Sequence, residues 1–242
     1  MVPKELLADF AEVCGIHAGD GWMSSHTTEI GYGTSPKEEQ YFQEVLQLYR
    51  KIFDHPITRI LRRLAVEFRF CSRTGQQLLK EVGFPRGKKL DYLRAPKFVF
   101  DNKEYMKRFL RGVIDTDGHV YWRKSFNNYY LIIYWVTTAP IFAEDLVEML
   151  RRLGYHPQHG SVKGTQCDGH KRRRLHRIIV MRHDEVKKFI EEIGFRNNTR
   201  WGQVLKLRKN LQTYHLSEPT TTFLSTLAIP ESQRARDLAA MS

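Results

Sequence analysis

Leu110-Arg111-Gly112-Val113-Ile114-Asp115-Thr116-Asp117-Gly118 is an apolar run at helical spacing that stops on two carboxylates and a glycine. A weaker copy lies upstream as Val13-Cys14-Gly15-Ile16-His17-Ala18-Gly19-Asp20-Gly21. In both, a glycine stands at the third place, a small residue (Gly19 or Thr116) follows four later, and Asp-Gly closes the run. Small residues four apart fall on one helical stripe, so Gly15, Gly19, Gly112 and Thr116 predict two helices whose backbones meet closely. Asp20 and Asp117 would then emerge at helix C-termini, where the helix dipole is negative and disfavours a carboxylate. Two such carboxylates side by side ask for a divalent cation between them. A lone Asp-Gly is ordinarily a turn; its recurrence after two Gly-bearing helices carries the reading.

The surrounding chain repeats as well. After the first motif come an extended segment over 22–34, a helix opened by Ser35-Pro36, extended chain over 57–72, and a short helix over 75–82. Val66, Phe68 and Phe70 alternate there with Glu67, Arg69, Cys71 and Arg73, the period of a half-buried strand. After the second motif come strands over 119–125 and 129–138, a helix opened by Ala139-Pro140, a strand around Ile178 to Met181, and a helix ending in Gly194-Phe195, which answers Gly83-Phe84. The offset between copies is 97 residues at Gly15/Gly112 and 111 at Gly83/Gly194, so the second copy carries extra residues, mostly before Ile178. A tandem αββαββα order follows, giving an α+β fold of two pseudo-symmetric halves. We expect an N-terminal half over 1–93, a linker over 94–101, a C-terminal half over 102–211 and a tail over 212–242.

The two motifs resemble those of the LAGLIDADG homing endonucleases, in the form that carries both copies in one chain. The second motif is close to the family pattern over all nine positions; the first departs from it at His17, where an aliphatic residue is usual, and at Ala18, where Asp115 stands in the second copy. The resemblance implies that the motif helices pack at the interface between the halves and that antiparallel sheets form a DNA-binding saddle. It further implies that Asp20 and Asp117 bind Mg²⁺, with Ca²⁺ or Mn²⁺ able to substitute, alongside Gly19 and Thr116. Each acid would serve the cut in one strand, leaving short 3′ overhangs. Family members keep a basic residue near each scissile phosphate; Lys88 or Lys89 and Arg200 are the matching positions.

Composition agrees with a polyanionic partner. In 242 residues, 39 Lys and Arg face 27 Asp and Glu, a formal charge of +12 with pI near 9.7. No apolar run reaches the roughly 18 residues of a membrane span, so no membrane partner is expected. Three cysteines without paired spacing (Cys14, Cys71, Cys167) point to free thiols and an intracellular, reducing compartment.

Because β-ribbons can lie in the major groove with alternate side chains toward the bases, the recognition candidates are Ser24, His26, Thr28, Arg69 and Arg73 in the first half. Tyr121, Arg123 and Arg177, with the basic insert Lys171-Arg172-Arg173-Arg174, are those of the second. The insert reads either as a hairpin tip gripping phosphate or as a solvated charge run or localisation signal. Cys167 and His170, with His176 and His183, fall short of a zinc set. The expected function is a monomeric, site-specific endonuclease on a duplex of roughly two helical turns. The alternatives on the same fold are an intron RNA maturase and a transcription regulator without catalysis. The chain starts Met-Val and ends Met-Ser, without the terminal residues of intein splicing.

Overall fold

A computed structural model describes residues 2–89, 92–125, 128–163 and 174–209. The first half runs α1 (Leu7–Gly19), β1 (Gly21–Met23), β2 (Glu29–Thr34), α2 (Glu39–Phe53), β3 (Thr58–Leu61), β4 (Val66–Cys71) and α3 (Arg73–Glu81). The second repeats it as α4 (Lys103–Thr116), β5 (Gly118–Ser125), β6 (Asn128–Thr137), α5 (Pro140–Arg152), β7 (Gln158–Lys163), β8 (Arg174–Val180) and α6 (His183–Glu192), then adds α7 (Asn198–Lys209). Both sheets are antiparallel, in the equivalent orders β1-β2-β4-β3 and β5-β6-β8-β7. The αββαββα repeat is therefore present in both halves, and the fold is α+β.

Local chemistry places the boundaries. The Ser72 hydroxyl accepts from the Gly75 amide at the start of α3, and the Asn102 carboxamide oxygen accepts from the Glu104 amide at the start of α4. Pro140 occupies the first turn of α5, where a missing N–H costs nothing. Within β4, Val66, Phe68 and Phe70 are buried in the core while Arg69 and Cys71 are exposed; Glu67, on the open side with them, is itself buried, its carboxylate accepting from Arg62 and Arg69.

Helix α1 is buried on every side from Phe10 to Ala18, whereas α4 buries one stripe and leaves Lys103 and Glu104 exposed. The two helices pack against each other through their small residues. A Cβ on Gly15 would overlap the carbonyl oxygen of Phe109, and one on Gly112 would stand 2.5 Å from the Glu12 carbonyl oxygen and 2.7 Å from the Ile16 nitrogen. Gly15 meets Gly112 and Gly19 meets Thr116, so the helices are parallel and both C-termini lie together. Since β1 follows α1 and β5 follows α4, both sheets start from that end. One apolar core runs through both halves, with Tyr49 edge-on to Phe68 at 4.9 Å in the first and Trp135 against Phe189 at 5.8 Å in the second.

A buried ionic network also ties the halves. The Glu12 carboxylate on α1, 0% exposed, receives Arg196 at 2.6 and 3.1 Å and Arg108 of α4 at 2.9 Å, with Arg111 at 3.8 Å.

Two expectations are corrected, and two further segments carry structure that the sequence reading left out. The extended segment over 22–34 is broken: β1 and β2 are joined by a turn in which the Ser24 hydroxyl accepts from the amides of His26 and Thr27, and the Thr27 hydroxyl from Glu29. Gln76 and Arg86 hold the carbonyls of Ser24 and Thr27 from across the fold, so local hydroxyl bonds and these long-range donors displace the strand. Arg73 starts α3 instead of continuing β4. Helix α7 has no counterpart in the sequence reading. The segment expected as a linker contains a 3₁₀ turn, Lys97–Asp101, with Val99 buried, and the Asp145 carboxylate accepts from the Ala95 amide at 2.8 Å.

Candidate active site between the motif helices

Asp20 and Asp117 are the C-caps of α1 and α4, in matching conformations (φ −93°, ψ 0° and φ −91°, ψ −7°). Their amides donate to the Ile16 and Val113 carbonyls at 3.1 and 3.0 Å. A Cβ on Gly19 would lie 2.7 Å from the Thr116 Cβ and 3.4 Å from the Asp117 carboxyl carbon, so the second acid sits against the end of the first helix. Both carboxylates reach solvent from a crevice that crowds them. That crowding raises the Asp20 pKa to about 6, with the Asp117 charge adding to the rise. Burial likewise raises Asp117, while Lys89, His119 and Arg200 oppose the rise. Among the described residues, neither carboxylate has a hydrogen-bond donor or an ion-pair partner within 4 Å.

Lys89 and Arg200 converge on the same helix ends. The Lys89 ammonium donates to the carbonyls of His17 (2.8 Å), Gly19 and Gly21 (2.7 Å). The Arg200 guanidinium donates to those of Ile114 (3.3 Å), Asp115 (3.4 Å) and Thr116 (3.0 Å). Each cation thus satisfies orphan carbonyls at a helix C-terminus and offsets the dipole that the two acids would otherwise aggravate. Burial lowers the Lys89 pKa to about 8, while the charges of Asp117 and Asp20 pull it up. Lys88, the other basic candidate, is exposed.

The two departures in the first motif have structural reasons. His17 is 1% exposed, set edge-on to Phe84 at 4.9 Å, and burial lowers its pKa to about 3. It packs as a neutral ring where an aliphatic side chain would serve. Asp115 accepts from the amides of Arg196 (2.8 Å) and Asn197 (3.1 Å), which turns the chain into α7 and so delivers Arg200. Burial raises its pKa to about 7 against those two bonds. At Ala18 no following helix needs such an anchor.

The recognition candidates divide by surface. Ser24, His26 and Thr28 lie in the β1–β2 turn, and Arg73 lies on α3. On the open face of the first sheet, Arg69 stands opposite Gly31. A Cβ on Gly31 would come within 2.8 Å of the Trp22 ring, which lies across the strand, and the Arg69 guanidinium sits 5.7 Å from that ring. On the second sheet Tyr121, Arg123 and Arg177 are exposed on one face, where the rings of His119 and Tyr134 stack at 5.1 Å. His119, Val120, Tyr121, Tyr134, Arg177, Ile179 and the α7 residue Gln203 line a concavity of about 400 Å³ there. Arg174 begins β8 and donates to the Ser161 hydroxyl at 2.9 Å. Lys171, Arg172 and Arg173, with Cys167 and His170, lie outside the described residues.

Sequence reasoning missed Trp22, His119 and Gln203 as residues of this surface, and Glu12 and Arg196 as its support. For Trp22 and His119 there was a signal, since each stands directly after the closing glycine of its motif.

Two oxygen-ligand side chains without donors, at two negative helix ends, fit a hard divalent cation. No third His, Cys, Asp or Glu joins them among the described residues. The carbonyls of Gly19 and Thr116, expected as further ligands, already accept from Lys89 and Arg200, and the Thr116 hydroxyl is turned back to Gly112 and Val113. Side-chain ligation therefore rests on the two aspartates.

Residues 104–194 match the family model of the LAGLIDADG-like domain. The chain is similar to the replication factor C small subunit of Methanocaldococcus jannaschii, with 23% identity over 84% of this chain and 10% of the relative. It is also similar to the tRNA-splicing ligase RtcB of Methanopyrus kandleri, with 25% identity over 54% of this chain and 14% of the relative. It thus spans a tenth to a seventh of the length of these curated relatives. Its fold is that of the homing endonuclease I-DmoI in complex with DNA and manganese (TM-score 0.53, 15% identity, 78% of this chain and 97% of that one). It is equally that of the meganuclease I-SmaMI bound to uncleavable DNA (TM-score 0.52, 12% identity, 92% and 97%).

Proposed function

We propose that this chain, which carries a LAGLIDADG-like domain and the two-half fold of the single-chain LAGLIDADG homing endonucleases, is a site-specific double-strand DNA endonuclease. The observation that carries the reading is the pair Asp20 and Asp117, carboxylates on two equivalent helix caps with no partner among the described residues. A protein that only binds DNA gains nothing from two acids beside phosphates.

In this reading the acids hold Mg²⁺, for which Ca²⁺ or Mn²⁺ substitutes. When bound, the cation supplies charge to the scissile phosphate and promotes ionisation of the attacking water. Lys89 and Arg200 act one step back: by clamping the carbonyls behind each acid they fix where the carboxylates point. The open sheet faces hold the duplex, and the two related halves present one acid to each strand, so the product is a staggered cut with short 3′ overhangs. The chain works as a monomer, because both halves of the site lie within it. The +12 charge supports a nucleic-acid partner of either kind, and the acid pair favours DNA cleavage over RNA chaperoning.

The test is a randomised duplex library incubated with the protein in Mg²⁺ and in Ca²⁺, then sequenced for cut and for bound molecules. A cut consensus in Mg²⁺ that Asp117→Asn abolishes while binding in Ca²⁺ persists is the expected result. Binding of structured RNA with no cleaved duplex would move the reading to the maturase.

A further inference from the structure

The two sheet faces differ in charge. On the first, the Arg62 and Arg69 guanidiniums meet Glu67 at 2.8 and 3.2 Å, and Arg69 also meets Glu29 at 3.9 Å. Glu29, Glu67 and Arg69 share this face with Trp22, opposite the buried Ile30, Tyr32 and Phe68. Two arginines are thus matched by two carboxylates. On the second, Arg123 and Arg177 are exposed and make no ion pair among the described residues. Their neighbours on that face are His119, Tyr121 and Tyr134, around the concavity of about 400 Å³.

Exposed ion pairs add little to folding stability. Their effect on a polyanion is larger: a phosphate nearing Arg69 or Arg62 must displace a carboxylate that repels it, whereas Arg123 and Arg177 meet phosphate with no carboxylate competitor among the described residues. Counterion release, the main driving force for binding DNA, therefore favours the second face. The aromatic rings there add surfaces for sugar and base contact.

We propose that the halves bind double-stranded DNA unequally: the C-terminal sheet is the anchoring face, and the N-terminal sheet neutralises its own arginines and contributes little phosphate affinity. This rests on the DNA-binding reading above and deepens it. Glu67 and Glu29 set the imbalance, and with Arg123 and Arg177 they determine which half-site holds the protein.

The test measures binding of a labelled mixed-sequence duplex of roughly three helical turns, in Ca²⁺, across a salt titration. Arg123→Gln with Arg177→Gln should weaken binding about tenfold and flatten the slope of log affinity against log salt by about 1.8. Glu29→Gln with Glu67→Gln should tighten binding several-fold and steepen the slope, a gain that misfolding cannot produce. An unchanged slope in the arginine variant overturns the proposal. So does unchanged binding in the glutamate variant, which would mean that those carboxylates do not oppose phosphate, or weaker binding, which would mean that they accept from base amino groups. Wild-type protein that binds no duplex overturns the nuclease reading as well, so the two failures are distinguishable.

Discussion

Lys89 and Arg200 stand 111 residues apart, the offset that also relates Gly83 to Gly194, and each turns its cationic head onto backbone carbonyls at the C-terminus of its own motif helix. Parallel packing of α1 and α4 puts two negative dipole ends and two aspartates together. These two side chains supply the compensating charge from within the fold, one per half.

Removing Lys89 should therefore act on stability as well as cutting. With three carbonyls losing a charged donor, Lys89→Met should cost about 2 kcal/mol in urea unfolding. Lys89→Arg should recover part of the loss, and Lys88→Met, on an exposed side chain, should leave stability unchanged. Equal effects at both lysines would contradict the geometry.

Gly15→Ala tests the helix contact. The added methyl overlaps the Phe109 carbonyl oxygen and lies 3.1 Å from the Gly112 Cα, both backbone, which no rotamer change relieves. We expect a loss of about 1–3 kcal/mol by chemical denaturation and a still larger fall in cleavage, because the acids shift with the helices. A variant as stable as wild type would show that the helices can separate freely.

Glu12→Gln should destabilise the protein by about 3–5 kcal/mol, since Arg108 and Arg196 would be left facing a neutral group in a buried site. Because the network joins α1 to α4 and to the turn before α7, thermal unfolding should lose cooperativity between the halves. A shift near zero would mean that Glu44 and Asp9 alone suffice as partners.

For pH, the sign follows from carboxylates raised above their ordinary value. Asp20 near 6 and Asp115 near 7 favour their neutral forms in the fold, so their contribution to stability is full below about pH 4 and is lost as pH rises through 6 and 7. Without metal, the melting temperature should fall across that window. A cation site that includes Asp20 requires its ionised form, so stabilisation by Ca²⁺ should be larger at the upper end of the window than at the lower, and Asp20→Asn should erase it. Scanning fluorimetry across pH with and without Ca²⁺ checks this; equal Ca²⁺ stabilisation throughout would remove Asp20 from the metal site.

Much of this was legible in the sequence because it is local or repeated. The Gly-x-x-x-small stripe, the alternation of Val66, Phe68 and Phe70, and the Ser-Pro and Ala-Pro helix starts each depend on neighbours within a few residues. The turn at Ser24–Thr28 was not legible, since its alternation reads as a strand until Gln76 and Arg86 are seen to hold it from about fifty and sixty residues away. Helix α7 went unread for a related reason: its start is set by Asp115, 82 residues upstream of Asn197.

By itself, then, the sequence determined that the chain is two copies of one unit and that each copy ends its first helix on an acid, because periodicity and repetition are properties of the chain order alone. The tertiary structure decided which cations hold the carbonyls behind those acids, which arginines make no ion pair among the described residues, and that Glu12 and Arg196, 184 residues apart, lock the halves. Such contacts depend on where elements pack against each other, and chain order does not encode that distance directly.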